Sequence, residues 1–336
     1  MTIAVSVLLL LILGALAWWW ESSRRRRHPV PAGYRPEIEF PYSQEFELYH
    51  NAFSLCSMKT RLCLAELGVR YASHPIDLIE TGSYENIRPA FLAVNPAGTV
   101  PVLVHKGHPV YESHEQIRYA ADHTAPSSPQ LVPADAALVE AMQRWVDRSS
   151  LTGDPLREGD ASAGNAVPGF TLPLFAAMIE RIPTWRILEG LLFHFDKRRP
   201  VMFLVLKTLG LERFGRIAPA VAALSRSRAQ MARHLDALEA QLEESGGPWI
   251  LGPTFSLADV SWLVIFERLG QADLFHVFAG DGRRPRCTSY WQRLQARPAY
   301  REAITAHAHP TVTRGTERLR EAKAADPALR ALLEGA

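Results

Sequence analysis

A short apolar run, Phe46 to Tyr49, hands over within a few residues to an apolar-periodic segment carrying Leu62, Leu64, Ala65 and Leu67, which stops at Gly68. The handover itself is Ser54-Leu55-Cys56-Ser57-Met58-Lys59-Thr60-Arg61. A strand that feeds a helix this directly puts a hydroxyl and a thiol at a helix N-terminus. The backbone N–H groups there lack intrahelical partners and favour an anion. A thiolate in that place is stabilised, whether it belongs to Cys56 or to a bound thiol.

Phe46 to about His123 continues as strand, helix, strand, helix, two strands and helix. The second strand falls near Tyr71 to Ile76, a helix near Ser83 to Leu92, and a hairpin joins Val102–Val104 to Pro109–Tyr111. Asn95-Pro96-Ala97-Gly98-Thr99-Val100-Pro101 is the turn before that hairpin, and Tyr111-Glu112-Ser113 opens the next helix. Short strands alternating with helices imply an α/β unit with a partly parallel sheet. Beyond a linker at Ala125–Pro129 almost every segment has helical periodicity, with helices expected at about Ala134–Arg148 and Ala220–Glu243. Ser256-Leu257-Ala258-Asp259 has the form of a capping box, and its helix runs on through Trp262, Ile265, Phe266 and Leu269. Trp291–Ala308 reads as a late helix, and the charged, alanine-rich stretch after it as a solvated helix or frayed tail.

The middle, residues 151–216, is an insertion. Leu151–Pro168 reads as a Gly/Asp/Ala-rich loop, and Phe170–Gly210 as an apolar, aromatic stretch broken by Pro173, Pro183 and Pro200. Its apolar content exceeds what a solvent-facing loop needs. A place on a membrane surface, a hydrophobic substrate entrance and plain packing onto the second domain are all open.

Thr2 to Trp20 contains no charged residue. Those residues, as a helix, span roughly 28 Å, close to a bilayer's hydrocarbon thickness. Trp18, Trp19 and Trp20 suit an interface, and Arg24 to Arg27 follow. A cleaved signal peptide is the rival, since Ala15-Leu16-Ala17 resembles a cleavage site; against it, no basic n-region precedes the apolar run. Read as an anchor, the segment is a single-pass transmembrane helix with its N-terminus outside and the large domain in the cytoplasm. His28 to Tyr42, with Pro29, Pro31, Pro36 and Pro41, reads as an extended spacer without fold of its own. The resulting partition is 1–21 anchor, 22–45 basic proline-rich linker, 46–124 α/β domain, 134–310 helical domain and 311–336 tail. A net charge of +2 over 336 residues speaks against a general nucleic-acid binder. Cys56, Cys63 and Cys287 have no metal-ligand spacing, and an odd, small cysteine number fits a reducing compartment.

The order Ser54-x-Cys56-Ser57, Val100-Pro101 and Glu112-Ser113 resembles the glutathione transferase superfamily. Its start is similar to the zeta class, and the longer string through Arg61-Leu62 to the chlorohydroquinone reductive dehalogenases. The middle insertion and the Gly282–Pro285 stretch give a partial resemblance to the ganglioside-induced differentiation-associated proteins, whose anchor is C-terminal. The resemblance implies a thioredoxin-like N-terminal domain plus an all-α C-terminal domain, an α+β fold here preceded by a single transmembrane helix. It implies glutathione as cosubstrate, a small hydrophobic electrophile as second substrate, and leaves a homodimer open. Ser54 would activate the glutathione sulfur, and Cys56 would form a mixed disulfide in dehalogenase-type chemistry. Val100 and Pro101, in a cis-proline turn, would meet the cysteinyl part of glutathione; Glu112 and Ser113 would hold its γ-glutamyl end. Lys59 and Arg61 are candidates for an anionic substrate.

Each assignment has a plainer counterpart. Ser54 caps a helix on spacing alone, Cys56 fills a first turn, and Lys59 and Arg61 are solvated charges. Two functions follow: a glutathione-dependent enzyme acting as transferase, reductive dehalogenase or isomerase, or a membrane-tethered scaffold or sensor on the same fold. Retention on immobilised glutathione separates them.

Overall fold

The computed structural model describes residues 2–152 and 162–335. A five-stranded mixed sheet has the order β1-β5-β4-β2-β3, with β1 at Gly33–Tyr34, β2 at Phe46–His50, β3 at Ala72–Pro75, β4 at Val102–His105 and β5 at His108–Tyr111. Strands β2 and β3 are parallel, Leu48 opposite Ser73, and the remaining pairs are antiparallel. Helices α2 (Leu55–Glu66) and α4 (Ser113–Asp122) pack against one another and against the sheet through Leu48, Leu62, Leu103 and Ile117. Between β3 and β4 the chain forms a 3₁₀ turn at Glu85–Ile87 and a short α3 at Pro89–Leu92, where one helix was expected.

The proline-rich spacer is not the free tether its composition suggests. Tyr34 pairs with Val110 in β5 and stacks on Tyr119 at 4.9 Å; Phe40 N–H donates to the Gly107 carbonyl at 2.8 Å. An edge strand is where prolines are tolerated, and Val30, Ile38 and Phe40 find the apolar cluster around Tyr111 and Val102.

The rest is helical: α5 (Ala136–Ser149), α6 (Ala163–Ile179), α7 (Thr184–Phe193), α8 (Arg198–Leu209), α9 (Ala218–Glu244), α10 (Leu257–Gln271), α11 (Phe275–Ala279), α12 (Pro285–Gln295), α13 (Pro298–Ala303), α14 (Pro310–Ala325) and α15 (Pro327–Glu334). Helix α10 is the buried axis; Trp262 has no exposed surface and its indole N–H donates to the Trp145 carbonyl.

Four expectations are corrected here. Of the loop expected over Leu151–Pro168, residues 153–161 lie outside the described part, and from Ala163, capped by Ser162, the chain is already in α6. Pro168 and Pro173 do not break α6, because Gly169 lets it lie directly on Ser227 of α9, and burial on several sides outweighs the lost backbone bonds. The late helix is instead α12 and α13, parted at Arg297-Pro298, since a residue before proline is biased away from helical geometry. The charged tail, in turn, is two packed helices: Val312, Leu319, Leu329 and Leu333 are buried, and Gly315 sits against Met178 of α6.

Helix α1 (Thr2–Arg24) is exposed, uncharged over most of its length, and by length and composition able to cross a bilayer.

Candidate active site

The site grows from the turn between β2 and α2. Asn51 fixes it: its Oδ1 accepts from Phe53 N–H (2.9 Å) and Ser54 N–H (3.0 Å), while its amide donates to the Ile76 carbonyl and to Thr81 Oγ1, both at 2.9 Å. Ser54 is the N-cap of α2, accepting from Ser57 N–H at 3.3 Å. Its hydroxyl lies 3.5 Å from the Val100 carbonyl, longer than a well-formed hydrogen bond. Ser54 and Cys56 are both half-buried, so the hydroxyl and the thiol reach the surface on the first turn of a helix whose positive end favours an anion.

The second wall is the Val100–Pro101 turn, whose peptide bond is cis. Gln116 holds it in place. Its amide nitrogen donates to the Pro101 and Val110 carbonyls, each at 2.9 Å, and its oxygen accepts from Thr60 Oγ1 at 2.8 Å. One buried side chain therefore locks the proline turn, strand β5 and α2 together. Glu112 and Ser113 follow β5 at the start of α4. Glu112 is exposed and has φ +69°, a left-handed conformation costly for a residue with a Cβ and concentrated at functional sites. Ser113 is the buried first residue of α4, where N–H groups lack helical partners.

Lys59 is not a solvated charge. It is 3% exposed, with Nζ 3.3 Å from Ser150 Oγ at the C-terminal end of α5, where a cation is favoured. Burial pushes its ammonium down, while the nearby Cys56 and Glu112 pull the other way. Lys59 therefore lies within electrostatic reach of both Cys56 and Glu112.

Arg61 is also buried, but as a strut. It donates to the Ala303 carbonyl (2.9 Å), the Asn51 carbonyl (2.9 Å), the Ala52 carbonyl (3.2 Å) and His50 Nδ1 (3.1 Å). Contrary to the expectation of an anionic substrate at Arg61, protein acceptors occupy its buried guanidinium. His50 is buried between Arg61 and Ser73, and His105 is held by Tyr119, so neither is free in the cleft. Cys63 and Cys287 are buried core thiols, raised by burial.

Two residues of the helical domain complete the support and gave no sequence signal. Arg268 of α10 donates to the Phe53 carbonyl, and its guanidinium lies 3.6 Å from the Phe53 ring centroid. Arg297 makes a bidentate pair with Glu66 at 2.5 and 2.6 Å, gripping the far end of α2. Beside Ser113, a cavity of about 580 Å³ is lined, among the described residues, by His114, Arg144, Asp147, Arg148, Ser150 and His234.

This combination of fold and site defines a class, and comparison with known proteins agrees. The glutathione S-transferase N-terminal domain family matches residues 53–123, and the C-terminal domain family matches residues 221–302. The chain belongs to the glutathione S-transferase superfamily of glutathione-dependent enzymes. It is 25% identical over 261 residues, 77% of this chain and 95% of the other, to a tetrachloro-p-hydroquinone reductive dehalogenase of Sphingobium chlorophenolicum. It is 25% identical over 272 residues, 76% of this chain and 73% of the other, to ganglioside-induced differentiation-associated protein 1-like 1 of Homo sapiens. The beta-etherase of Sphingobium sp. strain SYK-6 shares the fold, with a TM-score of 0.62 at 20% identity over 78% of this chain and all of that one.

Proposed function

We propose that the protein is a membrane-anchored, cytoplasm-facing enzyme that uses glutathione to attack an electrophilic carbon, with reductive dehalogenation of a halogenated hydroquinone-type ring as its leading reaction. The observation that carries the reading is the placing of Ser54 and Cys56 together on the half-exposed first turn of α2, above buried Lys59. The donor set fits glutathione: the Ser54 hydroxyl for its sulfur, the Val100–Pro101 turn for its central residue, and Ser113 with Glu112 for its charged amino-acid end. Ser54 and the α2 N–H groups favour the thiolate; that thiolate displaces halide from the ring. Cys56 then attacks the sulfur of the resulting thioether. The carbon–sulfur bond breaks, the ring carbon takes a proton, and Cys56 is left in a disulfide with glutathione. A second glutathione releases Cys56 and leaves as the oxidised dimer, so two thiols supply the two electrons. The cavity bordered by Arg144 and Arg148 suits an acidic phenol. For the anchor, the support is the exposed α1, uncharged from Thr2 to Trp20, with Arg24–Arg27 at its end.

Cys56→Ser decides between branches of the chemistry. With a chlorinated hydroquinone, turnover of this variant is expected to halt at the glutathionyl-ring adduct, visible by mass spectrometry, with no oxidised glutathione formed. Normal release of dehalogenated product by the variant removes the disulfide step.

A further inference from the structure

Nine large apolar side chains outside α1 are exposed among the described residues, and six of them lie on α7, α8 and the turn between: Trp185, Leu188, Leu192, Phe195, Val201 and Val205. Their spacing puts 185, 188 and 192 on one stripe of α7, and 201 and 205 on one stripe of α8. The opposite faces are used inward, where Ile187, Gly190, Phe203 and Leu206 are buried. Each helix of this hairpin therefore presents an exposed apolar stripe without being short of a core.

Two features say what meets that face. The first is position. The end of α1 rests on the same hairpin: Arg25 pairs with Glu189 at 3.2 Å and lies 4.5 Å from the Phe193 ring centroid, and Arg27 lies 4.5 Å from that of Phe195. Trp18–Trp20, the residues suited to an interface, precede these arginines by a turn or two. The hairpin is thus held at the height where a crossing α1 leaves the bilayer. The second is charge. Residues 181–207 carry six Lys and Arg against two Asp and Glu, and Arg24–Arg27 stand beside them, matching an anionic leaflet.

We propose that the α7–α8 hairpin seats on the anionic lipid surface next to α1, as a second membrane contact that fixes the orientation of the catalytic body. The inference rests on reading α1 as a membrane anchor. The contact is transmitted to the site's own domain, because Arg199 of α8 pairs with Glu80, and Gly190 of α7 lies directly against Tyr84. The hairpin is a bracket between lipid and the thioredoxin-like domain, so the cleft keeps a set bearing toward the bilayer from which an apolar substrate arrives.

The test uses the full chain in vesicles of phosphatidylcholine and phosphatidylglycerol. In a Cys56→Ser background a fluorescent label is placed through Leu188→Cys, Val201→Cys or, as control, Leu138→Cys on α5, an exposed apolar position away from the hairpin. Lipids carrying a nitroxide near the headgroup are expected to quench the labels at 188 and 201 several-fold more than the label at 138. Adding Trp185→Glu and Leu192→Glu is expected to abolish the excess at 201 while the chain still resists extraction by alkaline carbonate. Equal quenching at all three positions in a carbonate-resistant chain overturns the hairpin contact and leaves the anchor standing. Carbonate release without quenching overturns both. Protection of the label at 188 that grows with protein density, without lipid quenching, means that a second copy covers the face and also overturns the proposal.

Discussion

Ser54 and Ser256 cap two helices with the same side chain and to different ends. Ser256 has no exposed surface, and its surroundings are saturated. Asp259 accepts from Ser256 N–H (2.9 Å) and hydroxyl (3.2 Å) with one oxygen, and from Ile250 N–H (3.0 Å) and Tyr290 hydroxyl (2.9 Å) with the other. Ser54 is half-buried, accepts one N–H at 3.3 Å, and keeps its own proton in a 3.5 Å contact. One cap is spent on the fold; the other keeps a hydroxyl that the fold uses only in part. The two starts share Ser-Leu but differ at the third helical position, Asp259 against Ser57: the carboxylate returns a bond to its cap and gathers Ile250 and Tyr290 as well, whereas Ser57 only donates its N–H to the Ser54 hydroxyl.

If that contrast holds, disrupting each cap should affect a different property. Asp259→Ala carries the largest effect. It strands four buried donors, each worth roughly 1–3 kcal/mol, so a loss of at least about 4 kcal/mol is expected in denaturant titration. The variant that folds should keep its glutathione affinity. Ser54→Ala is expected to cost about 1 kcal/mol of stability but ~10²-fold in turnover, comparable to losing one oxyanion donor. Steady-state kinetics beside a melt would read both; full turnover with a large drop in stability would reverse the comparison.

A smaller effect concerns the seam behind the site. His50 is held neutral, its pKa pushed down to about 3 by burial first and then by Arg61 and His307. The unfolded chain binds that proton below about pH 6.5, so stability is lost as pH falls from there toward 3, at up to about 1.4 kcal/mol per pH unit. Melts at descending pH should show the slope, and His50→Gln should flatten it. An unchanged slope in the variant would assign it to other groups.

Much of the first domain was legible because its signals are local. The Ser54 cap, the Val100-Pro101 turn and the Glu112-Ser113 helix start each lie within a few residues, and their order carried the family resemblance that implies one shared site. The Ser256–Asp259 box was legible for the same reason. What stayed hidden depends on distant partners. Lys59 and Arg61 read as substrate-facing or surface charge; only partners far along the chain, Ser150 and Ala303, reveal that both are buried. Gln116 looks like an ordinary polar residue, yet it is the buried tie between the proline turn and α2. Arg268 carries no local pattern that points to Phe53. The spacer's edge strand and the packed tail were missed on composition: prolines and charges describe the solvent side of a segment and say little about the few apolar residues that dock it.

The central claim is that Ser54 holds the sulfur of bound glutathione as a thiolate. The most direct measurement is the ultraviolet absorbance of the thiolate when glutathione is titrated into the protein at neutral pH, with binding followed separately by calorimetry. The account predicts a thiolate band in the native chain and its loss in Ser54→Ala at little-changed affinity. A band of equal size in the variant, or no glutathione binding by the native chain, would contradict it.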